Sequence, residues 1–146
     1  MNDPLIRTIR VNCPVDHAFK VFTEQIDLWW PPGHRRFEGS EILLEAQSGG
    51  QFIERKKDGE EIIHGEVIAC DPPHRILYTW HPGSLAAPTE VEVRFTQQEE
   101  STLVEIIHSE GEDRTEGRWL ERVQKFGRAW DEVLKAFGQQ LEQATE

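Results

Sequence analysis

The segment TEGRWLERVQKFGRAWDEVLKAFGQQLEQ, residues 115–143, is the most informative part of this 146-residue chain about its architecture. Its apolar residues recur at alternating steps of three and four, which is the period of one helix face. They are Trp119, Val123, Phe126, Trp130, Val133, Leu134, Phe137 and Leu141. Thr115 can cap the start of this helix, and Glu116 suits the positive end of its dipole. At about 1.5 Å per residue the helix is roughly 40 Å long, and so aromatic a face must be covered by another element.

The rest of the chain predicts mostly strands. Leu5–Asn12 alternates between apolar and polar residues, and a short helix capped by Asp16 follows it as far as Ile26. Six further strands are predicted, separated by turn sequences such as Asp58-Gly59. They are Phe37–Ala46, Gln51–Lys56, Ile62–Cys70, Arg75–His81, Thr89–Gln97 and Thr102–Ser109, with a loop at Pro82–Pro88 after the fourth. We therefore expect one α+β domain over residues 1–146, in which a curved antiparallel sheet of six or seven strands wraps around the C-terminal helix.

Alternation along the strands predicts which side chains face the helix. The predicted inward sets are Val91, Val93 and Phe95, then Thr102, Val104, Ile106 and His108, with Ile76, Tyr78 and Trp80 sharing one parity. In Ile62–Cys70 the same rule places His64 and Glu66 on one side, and we expect both to be solvated.

Composition and charge narrow the class of partner. The chain carries 27 acidic and 16 basic residues, a net charge of −11, which disfavours binding to nucleic acid or to an anionic membrane. No apolar run is long enough for a signal peptide or a membrane span, and the two cysteines form no framework, so we expect a cytoplasmic protein. No spacing of histidines and cysteines indicates a metal site, and no phosphate loop indicates a cofactor.

Two adjacent tryptophans lie in a segment that cannot be regular. Trp29 and Trp30 are followed by Pro31-Pro32-Gly33-His34, and these prolines and the glycine exclude a regular element. The tryptophans either plug one end of the core or line an entrance, and the two interpretations are compatible.

The order of short motifs along the chain resembles a known family. The matching pieces are Trp30-Pro31-Pro32 with His34, Glu45-x-x-x-Gly49-Gly50-x-Phe52-x-Glu54, Asp58-Gly59, Gly65-x-Val67, Asp71-Pro72-Pro73 with Ile76 to Trp80, Thr89-Glu90-Val91-x-Val93-x-Phe95, Thr102 to His108, and Trp130-x-x-Val133-Leu134. This order resembles the START-like, Bet v 1-like helix-grip fold. Within it the chain resembles the activator-of-heat-shock-90-ATPase homologue-like family of the SRPBCC superfamily.

The resemblance implies a cavity between the long helix and the concave sheet. Relatives use such a cavity for apolar ligands, some act as cyclases or aromatases, and some contact a chaperone. This chain departs from the family at Ala129-Trp130, where the family usually has Gly-Trp. That alanine can change the gap between helix and sheet.

Three polar residues have open interpretations. His108 either is a hydrogen-bonded core or rim histidine, or it anchors a ligand or acts as a general base. Glu45 and Glu54 flank the Gly49-Gly50 turn, and they either form an inward carboxylate pair or lie at the rim as partners of Arg35, Arg36 or Arg55. No nucleophile elbow or Ser/His/Asp order is visible.

The leading hypothesis is a non-enzymatic, ligand-binding or stress-related protein that holds a small apolar molecule. Its predicted cavity residues are Trp30, His34, Phe52, Glu54, Tyr78, Trp80, His108, Phe126 and Trp130. The alternatives are a cyclase, dehydratase or isomerase that uses the same cavity, and a module that contacts a chaperone. The edge strand Leu5–Asn12 can also pair between two copies of the chain as a homodimer.

Overall fold

The structure, a computed structural model, describes residues 3–80, 89–110 and 119–144. The strands are β1 Leu5–Val11, β2 Glu41–Leu44, β3 Gln51–Arg55, β4 Glu61–Asp71, β5 Arg75–Trp80, β6 Thr89–Gln98 and β7 Ser101–Ser109. The α-helices are α1 Val15–Thr23, α2 Ile26–Trp29 and α3 Trp119–Ala144, and Pro32–His34 forms one 3₁₀ turn. The predicted cap at Thr115 with Glu116, the end of the strand at His81 and the loop Pro82–Pro88 lie outside the described residues.

The strands form one antiparallel sheet in the order β1-β7-β6-β5-β4-β3-β2. Strands β2 to β7 form a meander. The first strand, β1, pairs with the last strand, β7, and is one edge of the sheet. The sheet is curled, and α3 packs along β1 and against α1 and α2. This confirms the predicted α+β helix-grip architecture. None of the helices in the described part of the chain is apolar over a length sufficient to cross a membrane.

The apolar face of α3 enters an aromatic core. Phe137 is fully buried, and its ring centre lies 5.3 Å from that of Phe22 and 5.0 Å from that of Trp29. The predicted inward faces are confirmed for β6 and β7, whose alternate residues from Val91 and from Thr102 are buried. The 3.6 period of the helix and the period of two in these strands therefore identified one common core.

The first helix begins differently from the prediction. Pro14 precedes α1, and no side chain of the helix caps its start, so Asp16 is not the cap and lies in the first turn. The backbone N–H of Val15 has no acceptor within the helix, and it donates instead to Oε1 of Gln97 on β6, at 2.9 Å. A cap supplied from another strand carries no local sequence signal. The predicted single helix also ends at Thr23, and α2 follows as a separate turn.

Candidate functional site

A cavity of about 270 Å³ lies between α3 and the sheet. We call it the helix cavity. Among the described residues it is lined by Trp30, His34, Tyr78, Trp80, His108, Lys125, Phe126, Ala129, Trp130 and Val133. Most of these side chains are aromatic or aliphatic. The walls therefore favour a small, flat and largely apolar molecule.

A second cavity of about 510 Å³ adjoins the first, and three residues, Trp30, His34 and Trp80, line both. We call it the loop cavity because one wall is the segment 30–36. Its described lining is Trp30, Gly33, His34, Arg35, Arg36, Ile42, Phe52, Glu54, His64 and Trp80. Each residue predicted for the pocket thus lines at least one of the two cavities, and Phe52 and Glu54 line only the second. The sequence did not single out Lys125, Ala129 or Val133 as lining residues.

The two adjacent tryptophans have different positions. Trp29 is buried in the core, where its indole Nε1–H donates to the carbonyl of Val21 at 2.8 Å. Trp30 lies between the cavities, and its Nε1–H donates to the carbonyl of His34 at 3.2 Å. Trp29 therefore fits the core-plug interpretation, whereas Trp30 has the position expected of a cavity wall.

His108 lies at the end of β7 in a chain of hydrogen bonds. The Trp130 indole can only donate, and its Nε1 lies 3.1 Å from Nδ1 of His108. Nδ1 is therefore the acceptor, and the ring proton is on Nε2, which lies 2.8 Å from Oγ1 of Thr89. That hydroxyl then donates to the carbonyl of Trp80 at 2.8 Å. Both ring nitrogens of His108 form hydrogen bonds within the protein, as expected of a hydrogen-bonded core histidine.

Burial sets the charge of His108. It lowers the pKa of this ring to about 3, so the imidazole is neutral at physiological pH. A neutral ring that already donates at Nε2 and accepts at Nδ1 supports the packing of α3 on β7. It must break one of these bonds before it can bind a ligand or take a proton.

We expect the contribution of His108 to the stability of the protein to fall progressively from pH 6.5 to about pH 3. In the unfolded chain this histidine takes up a proton below about pH 6.5, whereas the folded state does not until about pH 3. Its contribution is complete above pH 6.5 and is lost as the pH falls, by up to about 1.4 kcal/mol per pH unit. Urea unfolding at several pH values measures this slope. His108→Gln should flatten it, and the same substitution at the exposed His74 should not.

Glu54 is a buried carboxylate at the wall of the loop cavity. Oε1 accepts from the amide of Arg36 and Oε2 from the amide of Phe37, at 3.1 and 2.8 Å, and Oε2 also accepts from the Ser40 hydroxyl at 2.6 Å. His64 Nε2 lies 2.8 Å from Oε1. Burial alone would raise the pKa of Glu54, but the bonds from Ser40, His64 and the two amides outweigh it and lower the pKa. Glu54 is thus ionised and fully bonded.

These bonds exclude one of the two interpretations of Glu45 and Glu54, and they correct the start of one predicted strand. Glu45 and Glu54 do not form a carboxylate pair, because Glu45 is exposed and accepts from the backbone N–H of Gln51. The strand predicted from Phe37 begins only at Glu41, because the amide of Phe37 and the hydroxyl of Ser40 bond to Glu54 and the segment loops over it.

The expectation that His64 is solvated is wrong. Its side chain is buried, whereas Glu66 is exposed as predicted. In the pairing of β3 with β4, Phe52 faces Gly65 and Ile53 faces Ile63, so His64 is the extra residue of a β-bulge. A bulge breaks the alternation of faces and turns His64 inward. The backbone of Thr79 lies so close to residue 65 that only glycine fits there, because a Cβ would overlap the Thr79 carbonyl oxygen.

Arg35 holds the segment that separates the cavities. Its guanidinium donates to Oδ1 of Asp27 at 2.6 Å and to backbone carbonyls of Asp27, Trp30 and Ser40. These bonds occupy all of its N–H groups, so Arg35 has none left for a ligand. Its partner is Asp27 and not Glu45 or Glu54. The neighbouring Arg36 bonds Glu54 only through its backbone.

A curled seven-stranded sheet, a long C-terminal helix and a cavity between them define a START-like protein of the helix-grip class. Residues 12–142 match the family described as Activator of Hsp90 ATPase homolog 1-like protein, and the chain belongs to this family. Among curated proteins, none matches the chain in sequence.

Several solved structures share this fold. Txn09, described as an anthrahydroquino-gamma-pyrone synthase, is 29% identical with a TM-score of 0.63, over 94% of this chain and 96% of Txn09. CalU16 from Micromonospora echinospora is 22% identical with a TM-score of 0.67, over 93% of this chain and 74% of CalU16. A protein from Rhodobacter sphaeroides is 16% identical with a TM-score of 0.73, over 99% of this chain and 94% of that protein. The last two likenesses show the fold alone.

Proposed function

We propose that this chain binds a small, flat, apolar molecule in the helix cavity. The observation that carries the proposal is the space of about 270 Å³ between α3 and the sheet, walled mainly by aromatic side chains. Three of these walls are the indoles of Trp30, Trp80 and Trp130. Burial of apolar ligand surface against them contributes about 25 cal/mol for each Å² removed from water.

The polar groups of the helix cavity are mostly engaged with the protein. His108 bonds to Trp130 and Thr89, and Nε2 of His34 bonds to Glu132 on α3 at 3.1 Å. Lys125 is exposed, and it lines the cavity from α3. Shape and apolar contact should therefore determine which ligands bind, and a weakly acidic group on the ligand would suit Lys125.

Filling the helix cavity should weaken ligand binding without unfolding the protein. Ala129 and Ala136 are both half-buried alanines of α3, but only Ala129 lines the helix cavity. We expect Ala129→Leu to weaken the binding of N-phenyl-1-naphthylamine about tenfold or more, because the added side chain takes the ligand's space. Energy transfer from the cavity tryptophans to the bound probe measures the affinity.

Ala136→Leu is the matched control, and it should leave the affinity of the probe unchanged. Equal affinities for wild type and Ala129→Leu would show that the probe binds elsewhere. Loss of binding in both variants would indicate a general disturbance of α3, and thermal unfolding of each variant would reveal it.

A second candidate is an enzyme of the cyclase, dehydratase or isomerase kind. The similarity to Txn09 over nearly the whole of both chains favours it. His108 is a poor general base for such a reaction because both of its nitrogens are bonded within the protein. An interaction with a chaperone is supported by the description of the family alone.

A further inference from the structure

The loop cavity contains a buried pair of groups that the ligand-binding proposal does not use. Nε2 of His64 lies 2.8 Å from Oε1 of Glu54, and both side chains are buried. Because the Glu54 carboxylate is ionised and can only accept, the ring donates at Nε2. Within the described part of the chain, the other nitrogen of His64, Nδ1, has no hydrogen-bond partner. In its neutral form the ring therefore has an unbonded acceptor at Nδ1, and His64 is one of the residues that line this cavity.

Glu54 holds this ring in one tautomer. Its other hydrogen bonds, from two backbone amides and the Ser40 hydroxyl, hold the Glu54 carboxylate in place beside the ring of His64. A carboxylate behind an imidazole orients the ring and stabilises the imidazolium that forms when the ring gains a proton. Here Glu54 is a positioning residue, because it acts on a ligand only through His64.

Aromatic rings and the side chain of Arg36 complete the cavity. The ring centre of Trp80 lies 5.4 Å from that of His64 and 5.0 Å from that of Phe52, and Trp30 lies 5.5 Å from Phe52. Arg36 also lines the cavity, and no acidic side chain among the described residues pairs with its guanidinium. Its neighbour Arg35 has no N–H group left, so Arg36 is the arginine of this cavity that can meet an anion.

We propose that the loop cavity is a separate site for a flat phenol or enol, whose hydroxyl donates to Nδ1 of His64. Proton transfer then breaks the O–H bond and forms an Nδ1–H bond, and the electron pair stays on the ligand oxygen. Glu54 stabilises the imidazolium, and Arg36 balances the phenolate or enolate. The site requires neither His108 nor occupation of the helix cavity.

The test uses 4-nitrophenol, whose ionised form absorbs at longer wavelength than its neutral form, and 4-nitroanisole, whose methyl ether cannot donate. At a pH at which most free 4-nitrophenol is neutral, the wild-type protein should raise the ionised fraction. It should also bind 4-nitrophenol about three- to tenfold more tightly than 4-nitroanisole, the value of one hydrogen bond. His64→Gln can still donate to Glu54 but cannot take a proton, so it should lose the ionisation and most of this preference.

Exposed Glu45→Gln is the control and should behave as wild type. If His64→Gln does not fold, Arg36→Gln serves in its place, since Arg36 is exposed, and it should lower the ionised fraction of the bound probe. The proposal is overturned if neither compound binds to wild type, if both bind equally, or if the substitutions leave the ionised fraction unchanged. Ala129 lines the helix cavity and not the loop cavity, so the effect of Ala129→Leu on the binding of N-phenyl-1-naphthylamine tests the helix cavity separately, and either proposal can fail alone.

Discussion

Glu54→Ala is expected to lower the free energy of unfolding by about 4 kcal/mol. The substitution removes the acceptor for the amides of Arg36 and Phe37, the hydroxyl of Ser40 and the ring of His64. A buried donor that loses its only partner costs about 1–3 kcal/mol, and water that enters the new space recovers part of the total. Urea unfolding at neutral pH measures the change.

Glu45→Ala is the matched control for this prediction. Glu45 lies on the other side of the same turn, is exposed, and bonds to one amide. We expect Glu45→Ala to lower the free energy of unfolding by less than about 1 kcal/mol. A similar small loss at Glu54 would contradict the buried network that shapes the loop cavity.

Phe137→Ala is expected to lower the free energy of unfolding by about 3–5 kcal/mol. Phe137 is fully buried between Phe22 and Trp29, so its removal leaves a void where α3 meets α1 and α2. The binding of N-phenyl-1-naphthylamine should persist while the protein is folded, since Phe137 does not line the helix cavity among the described residues.

Phe126→Ala should affect probe binding more, and stability less, than Phe137→Ala. Phe126 lies on the same apolar face of α3, but it is half-buried and lines the helix cavity, with its ring centre 4.4 Å from that of His108. We expect a smaller loss of stability and a larger change in probe affinity than at Phe137. If both variants lost stability and kept binding equally, the division of this face into core and cavity wall would be wrong.

Regular periodicity explains how much of the fold could be predicted from sequence. The period of α3 and the alternation in β6 and β7 each bury one face, so Phe137, Val93 and Ile106 could be assigned to the core without coordinates. Features that break the period could not be assigned in this way. The bulge that turns His64 inward and the Gln97 cap on α1 both depend on residues distant in sequence.

The candidate site was predictable to a similar degree. Aromatic residues such as Trp30, Trp80 and Trp130 could be selected because the fold places a cavity beside the last helix. The partners of the polar residues could not be selected, because they depend on register and loop path. Glu54 faces His64 and not Glu45, and His108 bonds to Trp130 and Thr89.

Native mass spectrometry of the protein purified from its own cells can show whether the helix cavity holds a ligand. If the helix cavity holds a small molecule, the native mass should exceed the chain mass by that of one ligand, and denaturation should release it. Ala129→Leu, purified in the same way, should carry less of the ligand or none. A native mass equal to that of the bare chain, together with no uptake of N-phenyl-1-naphthylamine, would contradict the claim.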